Sequence, residues 1–158
     1  MTLRFEQSRR TPVYSRDSAD EIGHVVRFVI TPGVHRVGAV HVAGRRRRAQ
    51  LVDWSSIVGF GPDAVVVDSA DSLRAAESDH EQRVAAGHLD LPGRRVLTDA
   101  GYEVGELADV DFDESSGVLE LIRTTRTTVG GDGLLVIGPY AVVVRHDAVR
   151  PGDRPTEV

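Results

Sequence analysis

Gly138-Pro139-Tyr140-Ala141-Val142-Val143-Val144 repeats a stretch found earlier in the chain, Gly61-Pro62-Asp63-Ala64-Val65-Val66-Val67. Six of the seven positions agree. A Gly-Pro break followed by a short β-branched run reads as a turn feeding a buried strand. Its recurrence implies one small β unit written twice. The predicted fold is therefore all-β: two small β-barrels in a pseudo-twofold arrangement, joined by a short helical linker.

Working outward from residues 61–67, the first lobe (residues 1–68) offers strands at Thr11–Ser15, Glu21–Ile30, Val37–Val42 and Gln50–Trp54, each β-branched and stopped by Gly, Pro or polar residues. A helical turn is expected at Ser55-Ser56-Ile57. Trp54, the one tryptophan, is expected to cap or fill a barrel end. Residues 69–92 change character: an Asp71 or Ser72 cap, an alanine-rich charged body and Gly87 as terminator predict a surface helix linking the lobes. The second lobe (residues 93–150) repeats the order, with Arg95-Val96-Leu97 in place of Pro12-Val13-Tyr14 and Val104-Gly105 in place of Ile22-Gly23. Residues 151–158 read as a flexible tail.

At 158 residues a chain can hold one ordinary domain or two small ones, and two lobes gain from packing together. No apolar run reaches the ~20 residues of a membrane helix, and the first residues carry no signal-peptide core, so no membrane insertion and a cytoplasmic address are expected. Cysteine is absent, excluding disulfides and thiolate chemistry, and all 19 basic residues are arginine, excluding Schiff-base lysines. Charge is uneven: residues 1–50 hold 10 arginines against 4 acids, residues 51–90 hold 2 against 8, and residues 91–158 hold 7 against 12. A basic first segment facing acidic later ones favours lobe docking or self-association, although exposed charge is usually plain solvated surface.

The strands just quoted resemble the PRC-barrel family. Gly93-Arg94-Arg95-Val96-Leu97-Thr98-Asp99 is similar to its opening strand. Val104 to Asp113 is similar to its glycine-marked second strand, and Ser116-Gly117-Val118-Leu119-Glu120-Leu121 to the hairpin into its third. Leu51-Val52-Asp53-Trp54-Ser55-Ser56-Ile57 is similar to the family's VPW..I segment, with Asp53 where proline is usual; the second lobe has Gly130 and Gly131 there. The resemblance implies a tandem of two PRC-barrel-like units acting as a non-enzymatic interaction or scaffold module through protein–protein contacts. It brings no catalytic residues and no cofactor. The partner would be a protein, and the uneven charge allows a homodimer. The alternative is an RNA- or ribosome-associated accessory factor using an arginine hairpin.

Two clusters are candidate partner contacts. Arg45, Arg46, Arg47 and Arg48 sit at a predicted hairpin tip that could grip phosphate, but no aromatic residue interleaves them, and the sequence pI of about 5.6 argues against nucleic acid. Asp109, Asp111 and Asp113, with Glu120, mimic the spacing of a calcium loop, yet Glu114 occupies the place that needs glycine. A strand with Val110 and Phe112 inward and three outward aspartates, an acidic edge that discourages strand pairing, is the better reading. The six histidines show no metal-ligand spacing; His24 and His41 are expected half-buried on strands.

Overall fold

The computed structural model describes residues 1–31, 33–44 and 49–155. The first lobe is an open, curled sheet of strands β6-β7-β2-β3-β4-β5-β8. Its members are β2 (Pro12–Ser15), β3 (Glu21–Thr31), β4 (Arg36–Ala43), β5 (Gln50–Asp53), β6 (Ile57–Phe60), β7 (Val65–Val67) and β8 (Leu73–Ala75). The second sheet runs β12-β11-β10-β9-β14-β13, from β9 (Arg95–Thr98), β10 (Glu103–Asp113), β11 (Leu119–Thr124), β12 (Thr128–Gly130), β13 (Leu134–Ile137) and β14 (Ala141–Val144). An N-terminal strand β1 (Thr2–Arg4) joins it by pairing with β10.

The two halves share strand order and register. The valine runs each lie parallel to the first strand of their own lobe, Val65 beside Val13 and Val142 beside Val96. All four of these valines are fully buried. The third residue of each long strand is a glycine of positive φ, Gly23 at 157° and Gly105 at 104°. Elsewhere the first lobe uses other residues where the second has glycine: Arg10, Ala19 and His35 have φ of 69°, 59° and 56°, and Gly93, Gly101 and Gly117 have 82°, 90° and 76°. The backbone path, not the side chain, is what recurs at these turns.

Residues 69–92 depart from the predicted helix. Ala70–Ser72 form a 3₁₀ turn, Leu73–Ala75 become β8 because Leu73 pairs with Val52, and only Asp79–Ala85 are helical (α2). The helix begins at Ser78, whose hydroxyl accepts from the Glu81 N–H while Glu81 reaches back to the cap, a capping box. Helix α2 is not a bare surface element either: Val84 and Leu89 cover Val29, Ala39 and Leu51. The tail is likewise tied down through residue 155, since Thr127 donates to Asp153 (2.8 Å) and Arg154 donates to the Val149 carbonyl (3.0 Å).

Each half is strapped by the segment leading into the other. β1 and the single helical turn α1 (Phe5–Ser8), which precede the first lobe's sheet, lie against β10. The segment holding α2 precedes the second lobe's sheet and lies against β3, where His80 Nε2 meets the Ile30 carbonyl at 3.0 Å. One apolar core runs through both lobes. At its centre Phe112 contacts Phe5, Phe28, Phe60 and Trp54 with ring centroids 5.4 to 6.3 Å apart. These are all the phenylalanines and the only tryptophan of the chain. Trp54 also stacks on Phe60 and lies against Gly117, where a side chain would press on the indole.

Candidate interaction cleft

Where the straps meet the sheets, β3 and β10 line a shared cleft of about 240 Å³. Each contributes an equivalent stretch. Val25 exchanges backbone hydrogen bonds with Arg10 and Thr11 (2.8 and 2.9 Å), and Leu107 does the same with Gly93 and Arg94 (2.8 and 2.7 Å). Beyond those bonds β3 and β10 leave their first strands, and Val26, Arg27 and Phe28 come to the cleft alongside Leu107, Asp109 and Val110. Helix α1 closes one side with Phe5, Glu6 and Arg9; Leu89, Asp90, Leu91 and Pro92 close the other.

The lining is mostly apolar and its charged groups are engaged. Arg27 holds Asp90 at 2.7 Å, Arg9 reaches Glu6 at 3.4 Å, and the Asp109 carboxylate accepts from the Glu6 N–H at 3.1 Å. Arg94 fastens the 88–92 loop by donating to the carbonyls of Asp90 (2.7 Å) and His88 (3.0 Å), and to Pro139 of the second lobe. Such an arrangement can bury an apolar side chain and orient charged neighbours. Each of those carboxylates is already engaged.

The three candidate aspartates do not act together. Asp109 alone reaches the cleft. Asp111 alternates with the core residues Val110 and Phe112 as predicted, yet it is only 4% exposed, because arginine side chains cover it on the outer face. Arg123 grips it through two bonds of 2.8 Å, and Arg4 on β1 adds a contact of 3.4 Å. Asp113 ends β10, where hydrogen bonds from Ser116 and Ser115 in the following turn lower its pKa. Nor is β10 an edge: β1, β9 and β11 all pair with it, so the acidic-edge reading fails. Among the described residues no cluster of three His, Cys, Asp or Glu is placed to hold a metal. Arg45, Arg46, Arg47 and Arg48 join the antiparallel strands β4 and β5 and lie outside the described residues.

The histidines divide. His24 is exposed, whereas His41 is buried on the same face of β4 as Ala39, with Nδ1 lacking a partner. Burial lowers the His41 pKa, Arg27 across the strand pair lowers it further, and Asp90 opposes them. A histidine held neutral when folded takes up its proton more readily when unfolded, so stability declines as pH falls below about 6.5. His41→Leu is expected to flatten that decline and to gain about 1 kcal/mol near pH 5 in urea titrations.

An ion-pair cluster pins α2 to the first sheet. Arg74 on β8 donates to Asp53 (2.8 Å) and Glu81 (2.6 Å), so Asp53, standing where the family has proline, finds its use here. The Arg74 guanidinium, with help from the Glu77 and Ser78 N–H groups, holds the Glu81 carboxyl down to about 2. A depressed carboxylate contributes fully above its ordinary value of 4.5, and the contribution is lost as pH falls toward 2. Glu81→Gln is expected to cost about 1–2 kcal/mol at neutral pH and to converge with wild type in acid, measured by thermal melts across that range.

The fold belongs to the class of small all-β barrels. Within that class, residues 3–74, which span the first lobe, match the family model of the PRC-barrel domain. The match reaches into β8 and so includes the strand that was expected to be helix. No curated protein matches the chain. No helix among the described residues is long and apolar enough to cross a membrane.

Proposed function

We propose that this chain is a non-enzymatic cytoplasmic interaction module that receives a protein partner in the cleft between its lobes. The observation that carries the reading is the cleft itself: walls from both lobes, a mostly apolar lining, and charged groups that are already engaged. Engaged carboxylates favour recognition over proton transfer, since a general base must be free to reach its substrate. The fitting partner presents an apolar side chain between polar ones. The shared strand order, valine registers and left-handed turns support descent of both lobes from one repeated unit.

The test is affinity capture on the immobilised chain, with Val26→Arg as the comparison. Val26 is half-buried on the cleft wall, so a charge there blocks the site without entering the core. A protein retained by wild type and lost from Val26→Arg supports the proposal. Recovery of RNA with no protein, with a salt dependence abolished by charge reversal at Arg45, Arg46, Arg47 and Arg48, overturns it.

A further inference from the structure

Arg27 clasps the end of α2 and the loop that follows it. Its Nε and Nη2 donate to the two Asp90 oxygens at 2.7 and 3.4 Å, and its Nη1 reaches the Ala85 carbonyl at 3.5 Å. Gly87 leaves the guanidinium its place, since a side chain there would press on it. The clasp holds Leu89, Asp90, Leu91 and Pro92 as one wall of the cleft. Directly opposite Arg27, on β4, stands His41.

The second lobe fills the same two positions with opposite charges, Asp109 facing Arg123. The first lobe has two basic residues there, and like charges at facing positions of neighbouring strands repel. Arg27 and His41 are therefore compatible only while the imidazole is neutral. The ring is 6% exposed and its Nδ1 has no partner, whereas both nitrogens of an imidazolium must donate. The other charges on this face are engaged or exposed. Arg74 of β8 holds Asp53 of β5 and Glu81 of α2. His80 donates to the Ile30 carbonyl, which it can do in either charge state. His24, Arg83 and His88 are exposed. Among the described residues Asp90 is the carboxylate that acts on His41, and Arg27 already grips it.

We propose that His41 is a proton switch for the cleft: taking up a proton opposite Arg27, it breaks the Arg27–Asp90 clasp and lets residues 86–92 lift from the first sheet. Asp90 cannot keep both bonds to Arg27 and also neutralise the imidazolium. Solvating Nδ1 requires opening the cover that Val84 and Leu89 lay over this face. Glu81 keeps its charge down to about 2, so the Arg74 cluster holds the start of α2 while its far end opens. The opened form takes up its proton at the ordinary value of 6.5, so opening grows as pH falls through that value. As a control over binding, the switch rests on the cleft being the partner site; as a motion of the wall it does not.

Hydrogen exchange of the full chain from about pH 7 to about pH 5, corrected for the intrinsic rate at each pH, tests this. The Ala86, Gly87 and His88 N–H groups, each bonded to a carbonyl of α2 at 3.0 Å, report on the wall, and those of β10 report on global unfolding. At neutral pH the wall should exchange faster than β10, and its protection should fall about fivefold or more across the range. His41→Leu should hold the wall's protection level. Asp90→Asn, which undoes the clasp without touching the ring, should lower it already at neutral pH. A wall that stays level while β10 loses protection would mean that the proton enters only on global unfolding, and overturns the proposal. So does a loss that persists in His41→Leu, or an Asp90→Asn wall as protected as wild type. Because exchange needs no partner, a cleft that captures nothing leaves this result standing, and a wall that stays shut leaves the capture result standing.

Discussion

Phe112→Ala is expected to destabilise the protein by about 4 kcal/mol, the largest loss from any single truncation in this core. Phe112 is fully buried and touches Phe5, Phe28, Phe60 and Trp54, so its removal opens a void that borders both lobes and α1. The void cannot close cheaply, because Phe5 and Phe28 are already stacked at 4.1 Å and Phe28 stands on the opposing sheet. For a chain of this size, such a loss should lower the melting temperature by roughly 8–16 °C. Phe112→Leu, which refills most of the space, should recover more than half of it. A melt of Phe112→Ala within a few degrees of wild type would show that the lobes do not share this core.

Arg123→Ala should follow closely, at about 3 kcal/mol, because it strands a buried carboxylate. Asp111 would retain only Arg4, at 3.4 Å, in place of the two 2.8 Å bonds. The first lobe shows how the same position works without charge: by the shared register, Val29 stands for Asp111 and His41 for Arg123. The double variant Asp111→Val with Arg123→Leu should therefore come within about 1 kcal/mol of wild type, since replacing a buried ion pair by apolar groups is often neutral. Chemical denaturation of the single and double variants measures the coupling. Equal losses in both would mean that the pair contributes through packing alone.

How much of this was legible in the sequence depends on range. The valine strands and the glycines at 23 and 105 were readable because a β-branched run and a glycine within it are local signals. β1 was not, since Thr2-Leu3-Arg4 is too short to signal anything and its partner Phe112 lies far along the chain. The linker misled because alanine and charge favour helix, while Leu73 had a place on Val52 that propensity cannot weigh. A better marker was present: Ser78 followed three residues later by Glu81 is a capping-box signature, and it marks the true helix start. The burial of Asp111 was missed because the arginines that cover it, Arg4 and Arg123, come from other strands. The cleft was illegible, since it assembles residues from both halves and both straps.

Those straps make the halves unequal in how they could be severed. Residues 93–155 alone would bare the backbone of Asp111–Asp113 and expose the ring of Phe112, a surface prone to template aggregation. Residues 1–92 would keep α2 over the outer face of their own sheet, though they too would lose the anchorage of their first strand and the Phe112 side of the shared core. On a ribosome the half that emerges first is thus the one that can wait covered, while the half that emerges last finds its missing strand already made.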